Sequence, residues 1–442
     1  MKKLNKTILL LSALLCGCNV SSTTDETITT DKTTSETINS SSTTDSSSND
    51  SSSGTTTISG EETHYEVLTI EKVNKLCDEL EGDEVNTLGD KKVSITGRMM
   101  FAETINCTQK GYRDDNAFKL FVYDKTGYIY VGVNQDRYTN VFSKYEYSED
   151  SYYTFNGTIN KYLNQNEIIM ESYEWLSNYN GDSVGLNEIK SFAGEAKTME
   201  EIYTLDASLS LNKKGIAYSN VVAFDGKYID KVENSIALFA NGEYVMRVHG
   251  NNKLNNQFSS ITNEETLNSS KSYRIYGVLT VYNYLPEVEF LMKEELEEKI
   301  DYTLNDKNLK TAESVWSVVP NKDKLLTNHY EEYEKLSQKI MCFEGYIATS
   351  LIASKVYNLL SDKELSSIIN SNANEKANKV LRINNEGETG LTTEKDLSYS
   401  NFYTLHEENP SQKIKVYFVI HGYNTNGYYQ IQIINRYSIT NI

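Results

Sequence analysis

Four aromatic residues gather around one tight turn. Phe121 and Tyr123 precede Lys125-Thr126-Gly127, and Tyr128 and Tyr130 follow it. Spacing by two on both sides of a turn places all four rings on one side of a two-stranded hairpin, because successive side chains of a strand point to opposite faces. Flat aromatic rings on a sheet surface stack on bases or sugars, so Phe121, Tyr123, Tyr128 and Tyr130 are the candidate ligand-binding residues. The same rings also stabilise a sheet as cross-strand pairs, or bury against a neighbouring body. Sequence leaves both readings open.

Other chemistry is sparsely supported. His64, His249, His329, His406 and His421 are scattered, and none has the spacing of a zinc site. No metal site and no cofactor is expected. His421, beside Gly422, reads as a half-buried strand residue. There is no G-x-S-x-G elbow, P-loop, G-x-G-x-x-G or calcium loop of the D-x-[DN]-x-[DN]-G kind. The paired acids Asp114-Asp115, Glu149-Asp150 and Glu294-Glu295 could serve as acid and base only where their environments pull the two pKa values apart; they read as solvated surface. No catalytic residue is assigned, and the chain is expected not to be an enzyme.

The elements that must position the aromatic rings are strands. Lys92–Met99, Phe118–Asp124 and Tyr128–Val133 alternate with period two. Phe118, Leu120 and Val122 share a face that Ile129, Val131 and Val133 continue after the turn, so the hairpin closes over one apolar layer. Tyr244, Met246 and Val248 stand at the same offsets from Gly242 as Ile129, Val131 and Val133 do from Gly127, where Glu243, Val245 and Arg247 replace aromatic residues. Near its end each unit echoes the others: Tyr153, Gly157 and Tyr162; Tyr273, Gly277 and Tyr282; then Phe418 and Gly422, a turn at Asn426-Gly427 and a strand at Tyr429–Ile433. Each unit opens with a short amphipathic helix, Thr69–Leu80, Thr198–Leu205 and Thr311–Val319, with Thr as cap and Glu71, Glu201 and Glu313 in the first turn.

These strings, "VSITGR", "FVYDKTGYIYV" and "YTFNGTI…IIMES", resemble the OB-fold barrels found in tandem on surface lipoproteins of low-GC Gram-positive bacteria. The likeness is good over 65–178, fair over 190–298 and poor over 310–442, where an Asn- and Lys-rich insertion spans roughly Asn358–Lys379. It implies a mainly β chain of three tandem five-stranded barrels, each with a short helix. It also implies a glycine such as Gly97 or Gly345 where strand one bends, and ligands across strands two and three. An immunoglobulin-like sandwich is the alternative, since alternation alone does not distinguish the two.

The amino terminus reads as an address. Lys2, Lys3 and Lys6 precede the apolar run Ile8–Leu15, which is too short to span a bilayer. Leu15-Cys16-Gly17-Cys18 follows and resembles the bacterial lipobox, whose cysteine carries diacylglycerol. Cys18 is the expected lipid attachment; Cys16 competes, but Leu15 is larger than the small residue expected before an acceptor. The resemblance implies a signal peptide over 1–17 and a chain held on the extracytoplasmic face of a membrane. Residues 18–60 number 43, of which 26 are Ser or Thr, a composition that cannot pack a core. As a flexible tether it would span roughly 35 Å. The folded units are then 61–180, 181–300 and 301–442. Cys77, Cys107 and Cys342 allow one bridge at most; Cys77 and Cys107 could pair, though buried free thiols fit three cysteines better.

The chain of 442 residues carries 43 Lys or Arg against 62 Asp or Glu, for a net charge of −19. The imbalance is 12 against 21 in 61–180, 12 against 18 in 181–300 and 15 against 17 in 301–442. Acidic units repel phosphate, so nucleic acid is expected to be a poor partner and a protein or glycan the better one. The expectation is therefore a lipid-anchored binding protein. Two alternatives stay open: an exported, nuclease-like hydrolase with a dispersed site in the third unit, and a structural surface spacer.

Overall fold

A computed structural model describes residues 63–81, 86–105, 117–134, 151–162, 165–206, 217–233, 236–250, 267–268, 270–282, 285–318, 335–349, 357–360, 380–383, 413–424, 428–433 and 440–441. The expected leader, Cys18 and the tether lie outside these residues, as do Cys107, Asp114-Asp115, Glu149-Asp150, His329, His406 and most of the third-unit insertion.

One plan recurs. Strand β1 (Glu66–Val67) runs parallel to β2 (Asn86–Ile105), and α1 (Ile70–Asp78) comes between them in sequence. Then β3 (Ala117–Tyr123), β4 (Tyr128–Asn134), β5 (Tyr152–Tyr162) and β6 (Gln165–Leu176) pair in the order β2-β3-β4-β6-β5, and β5 returns to β2 to close the ring. Strands β4 and β6 are parallel and the other ring neighbours antiparallel.

The second unit adds α2 (Leu186–Ala193), which the periodicity did not reveal, then α3 (Met199–Asp206). Its barrel comprises β7 (Ala217–Glu233), β8 (Ile236–Asn241), β9 (Tyr244–His249), β10 (Ser272–Tyr282) and β11 (Leu285–Leu296), closed as β7-β8-β9-β11-β10. A parallel bridge from Lys197 to Phe224 stands in for β1. In the third unit β12 (Leu309–Lys310) and α4 (Ala312–Trp316) precede β13 (Met341–Thr349), β14 (Tyr357–Leu360), β15 (Val380–Ile383), β16 (Ile414–Asn424) and β17 (Tyr428–Ile433). These pair as β13-β14-β15-β17-β16, with β16 also meeting β13 and carrying the short β18 (Thr440–Asn441).

The order one-two-three-five-four with parallel strands three and five is an OB-type barrel, and the chain holds three such sheets in tandem. A sandwich would need two facing sheets; a single hydrogen-bonded ring excludes it here. The interior of the first barrel is the predicted layer, with Leu120, Val122, Ile129 and Val131 buried together with Val93, Ile95 and Phe155. Helix α1 contributes Ile70, Val73 and Cys77, spaced three and four apart, to the same core. Each fully buried aliphatic side chain of this kind contributes about 1.5–3 kcal/mol.

Two of the expected threonine caps act as such. Thr198 and Glu201 form a reciprocal box, with Thr198 Oγ1 accepting Glu201 N–H at 3.1 Å, and Thr311 Oγ1 accepts Ser314 N–H at 3.1 Å. Thr69 does not cap through its side chain. The turn between β3 and β4 supplies that function, with Asp124 Oδ2 accepting Ile70 N–H and Thr126 Oγ1 accepting Glu71 N–H, both at 3.1 Å.

The echoing glycines have a steric cause. Gly157 and Gly277 each sit at a register shift in strand four, where strand five crosses close by. A Cβ on Gly157 would lie 2.1 Å from Ile169 O, and one on Gly277 would lie 2.3 Å from Glu289 O. Gly97 fits its expected role, since a Cβ there would meet Val122 Cγ1 at 2.7 Å and Tyr123 O at 2.9 Å.

Candidate functional site

The four candidate rings do meet. Phe121 lies opposite Tyr130 and Tyr123 opposite Tyr128 across β3 and β4, and Phe121 stacks on Tyr128 at 5.2 Å between centroids. They do not form an open platform. Phe121 and Tyr123 are 0% exposed and Tyr130 3%, and all three belong to a core continuous with the interior of the second barrel. Phe192, from the unpredicted α2, lies 6.3 Å from Tyr123 and 5.6 Å from Tyr128. Burial raises the phenol pKa of Tyr128, and raises that of Tyr130 further, with the charges of Tyr128 and Glu289 adding to it. Phe121, Tyr123, Tyr128 and Tyr130 are therefore corrected from a ligand platform to the joint between barrels one and two. Large apolar rings gain more from a dry contact with α2 and β7 than from water.

A strap fixes the same joint. Val184, in the connection between barrels, donates its N–H to Tyr152 Oη at 2.7 Å and accepts from Arg98 Nη1 at 2.8 Å. Tyr179 stacks on Tyr152 at 4.1 Å.

Barrel two uses its own strands two and three in the same way. Ile236, Leu238, Ala240 and Val245, on the outer side of β8 and β9, pack with Ile340 and Val419 of the third unit, flanked by Tyr302 and Tyr417. The hairpin tip is held by backbone bonds: Gly242 N–H to Asp301 O, Thr303 N–H to Gly242 O, Val245 N–H to Gln338 O and Ile340 N–H to Glu243 O. Gly242 has φ +60, the left-handed region that glycine tolerates. Glu243 accepts from Lys339 Nζ at 2.7 Å and Asn308 Nδ2 at 3.1 Å, and those bonds, Lys339 first, lower its pKa.

One group of titratable side chains escaped the sequence reading. Parallel strands β9 and β11 bring Arg247 opposite Glu287 and His249 opposite Glu289. Arg247 Nε lies 3.8 Å from Glu287 Oε2, and His249 Nδ1 lies 2.7 Å from Glu289 Oε2. All but His249 are buried. A carboxylate that orients an imidazole is part of many general bases, and Glu289 stands in that relation to His249. In barrel one the matching strand pairing sets Tyr130 opposite Glu167, whose Oε1 accepts from Asn160 Nδ2 at 2.6 Å. No local spacing announces either cluster, because the partners come from strands joined only by register.

The remaining candidates are dispersed. Among the described residues no three His, Cys, Asp or Glu gather as a metal site. Glu294 accepts from Lys190 and Tyr276, while Glu295 pairs with Lys271 at 2.6 Å, so these adjacent acids point to separate partners. Cys77 and Cys342 are buried free thiols. No described helix is long and apolar enough to cross a membrane.

No protein-family model matches the chain, and no curated protein matches it. Likenesses to solved structures are of fold only. The Ifi202 HINa domain, solved in complex with 20-bp double-stranded DNA, is 16% identical, matches 48% of this chain and 100% of its own length, and has a TM-score of 0.24. The p202 HIN1 domain with a 12-mer double-stranded DNA is likewise 16% identical, over 48% of this chain and 95% of its own, at 0.24. The second OB-fold domain of replication protein A from Methanococcus maripaludis is 15% identical over 20% of this chain and 88% of its own, at 0.16.

These scores carry no ligand over to this chain, but they correct one expectation. Two of these neighbours were solved on DNA, and the expectation that nucleic acid is a poor partner is withdrawn. Net charge sums the whole chain, whereas contact is decided by the local surface that meets the phosphates.

Proposed function

We propose that the chain is a binding protein, held by lipid on Cys18 at the extracytoplasmic face of a membrane, whose tandem OB-type units engage a ligand and do not transform it. The observation that supports this reading is the repeated OB-type barrel, a scaffold that binds ligands across its strands two and three. Strands two and three, a binding face of this fold, serve in barrels one and two to grip the next barrel. Those two barrels then act as scaffold, and the ligand surface falls on the outer walls or on the third unit.

The lipid is tested by radiolabelled palmitate, which should enter the full chain and fail to enter Cys18→Ser. Binding is tested with residues 62–442 on glycan arrays and in pull-downs from host and bacterial surfaces, alongside turnover assays on nucleic acid, peptidoglycan and esters with Ca²⁺ or Mg²⁺. Saturable binding without turnover supports the reading. Turnover of any substrate favours the hydrolase, and an abundant protein that binds nothing favours the spacer.

A further inference from the structure

We draw no further inference here: the strongest candidate, the cluster of Arg247, His249, Glu287 and Glu289 on the outer side of β9 and β11, carries nothing because Glu289, whose charge acts on Tyr130, places it beside the joint between barrels one and two already described.

Discussion

The hydroxyl of Tyr128 in the first barrel accepts the backbone N–H of Val221 in the second at 3.3 Å. A polar group on the fold's usual ligand face is thereby spent on the next barrel, and the rings around it follow. Phe121→Ala should cost about 3–5 kcal/mol in stability, the range for truncating a buried aromatic, and Tyr128→Phe about 1–2 kcal/mol for the lost hydrogen bonds to Val221 N–H and Asn220 Oδ1. Urea unfolding of 62–442 measures both. Unchanged stability in Phe121→Ala would mean that the rings do not hold the joint.

The strap should be sensitive to a single oxygen. Tyr152→Phe removes the acceptor for Val184 N–H and leaves a buried donor unsatisfied, which costs about 1–3 kcal/mol. Native-state hydrogen exchange at Val184 should speed up, while amides in the interior of barrel one, such as Val122, stay protected.

Gly157→Ala and Gly277→Ala should each destabilise by about 1–3 kcal/mol or more, because the new methyl meets backbone rather than a movable side-chain end. Gly127→Ala, whose added carbon would lie no closer than 3.6 Å to any neighbour, is the control. Equal thermal shifts in all three would refute the close-approach account.

Burial pushes the Cys77 thiol up to about 12 and the Cys342 thiol up to about 11. At pH 8 neither should react with iodoacetamide in the folded chain, and both should react in urea. A folded value above the unfolded one means that burial contributes stability below about pH 8.5, which is lost as pH rises towards the folded values. Rapid labelling at pH 8 without denaturant would show these thiols to be accessible.

Glu243 titrates in the opposite sense. Its pKa is lowered in the folded chain, so its contribution is present above the ordinary carboxylate range and disappears as pH falls through the lowered value. Because the pair with Lys339 is partly exposed, the effect should be small. Comparing Glu243→Gln with the parent from pH 7 to pH 3, by urea unfolding monitored on the third unit, should show a deficit at pH 7 that closes towards pH 3. A deficit independent of pH would assign Glu243 a purely steric role.

Much of the architecture is legible in local pattern. Leu120, Val122, Ile129 and Val131 alternate because one side of their strands faces a core. Gly157 and Gly277 recur because two strands pass too close for a side chain, and Thr198 and Thr311 stand where helices begin. Helix α2 was less plain. Its signal is brief: Glu188 three residues after Gly185, accepting Gly185 N–H at 2.7 Å, with Ile189 and Ala193 four apart.

The sequence by itself determined the alternation, the turns and the repeated unit, since each depends on residues within a few positions of one another. It also brought Phe121, Tyr123, Tyr128 and Tyr130 together, because a tight hairpin is a local object. Only the tertiary structure decided whether those rings meet a ligand or Phe192, and whether Arg247 and His249 meet Glu287 and Glu289. A strand's chemistry states that a face is apolar or charged. What covers that face is set by the closure of the barrel and by the docking of segments far away in sequence, such as Val419 against Ala240, to which no short-range pattern is tied.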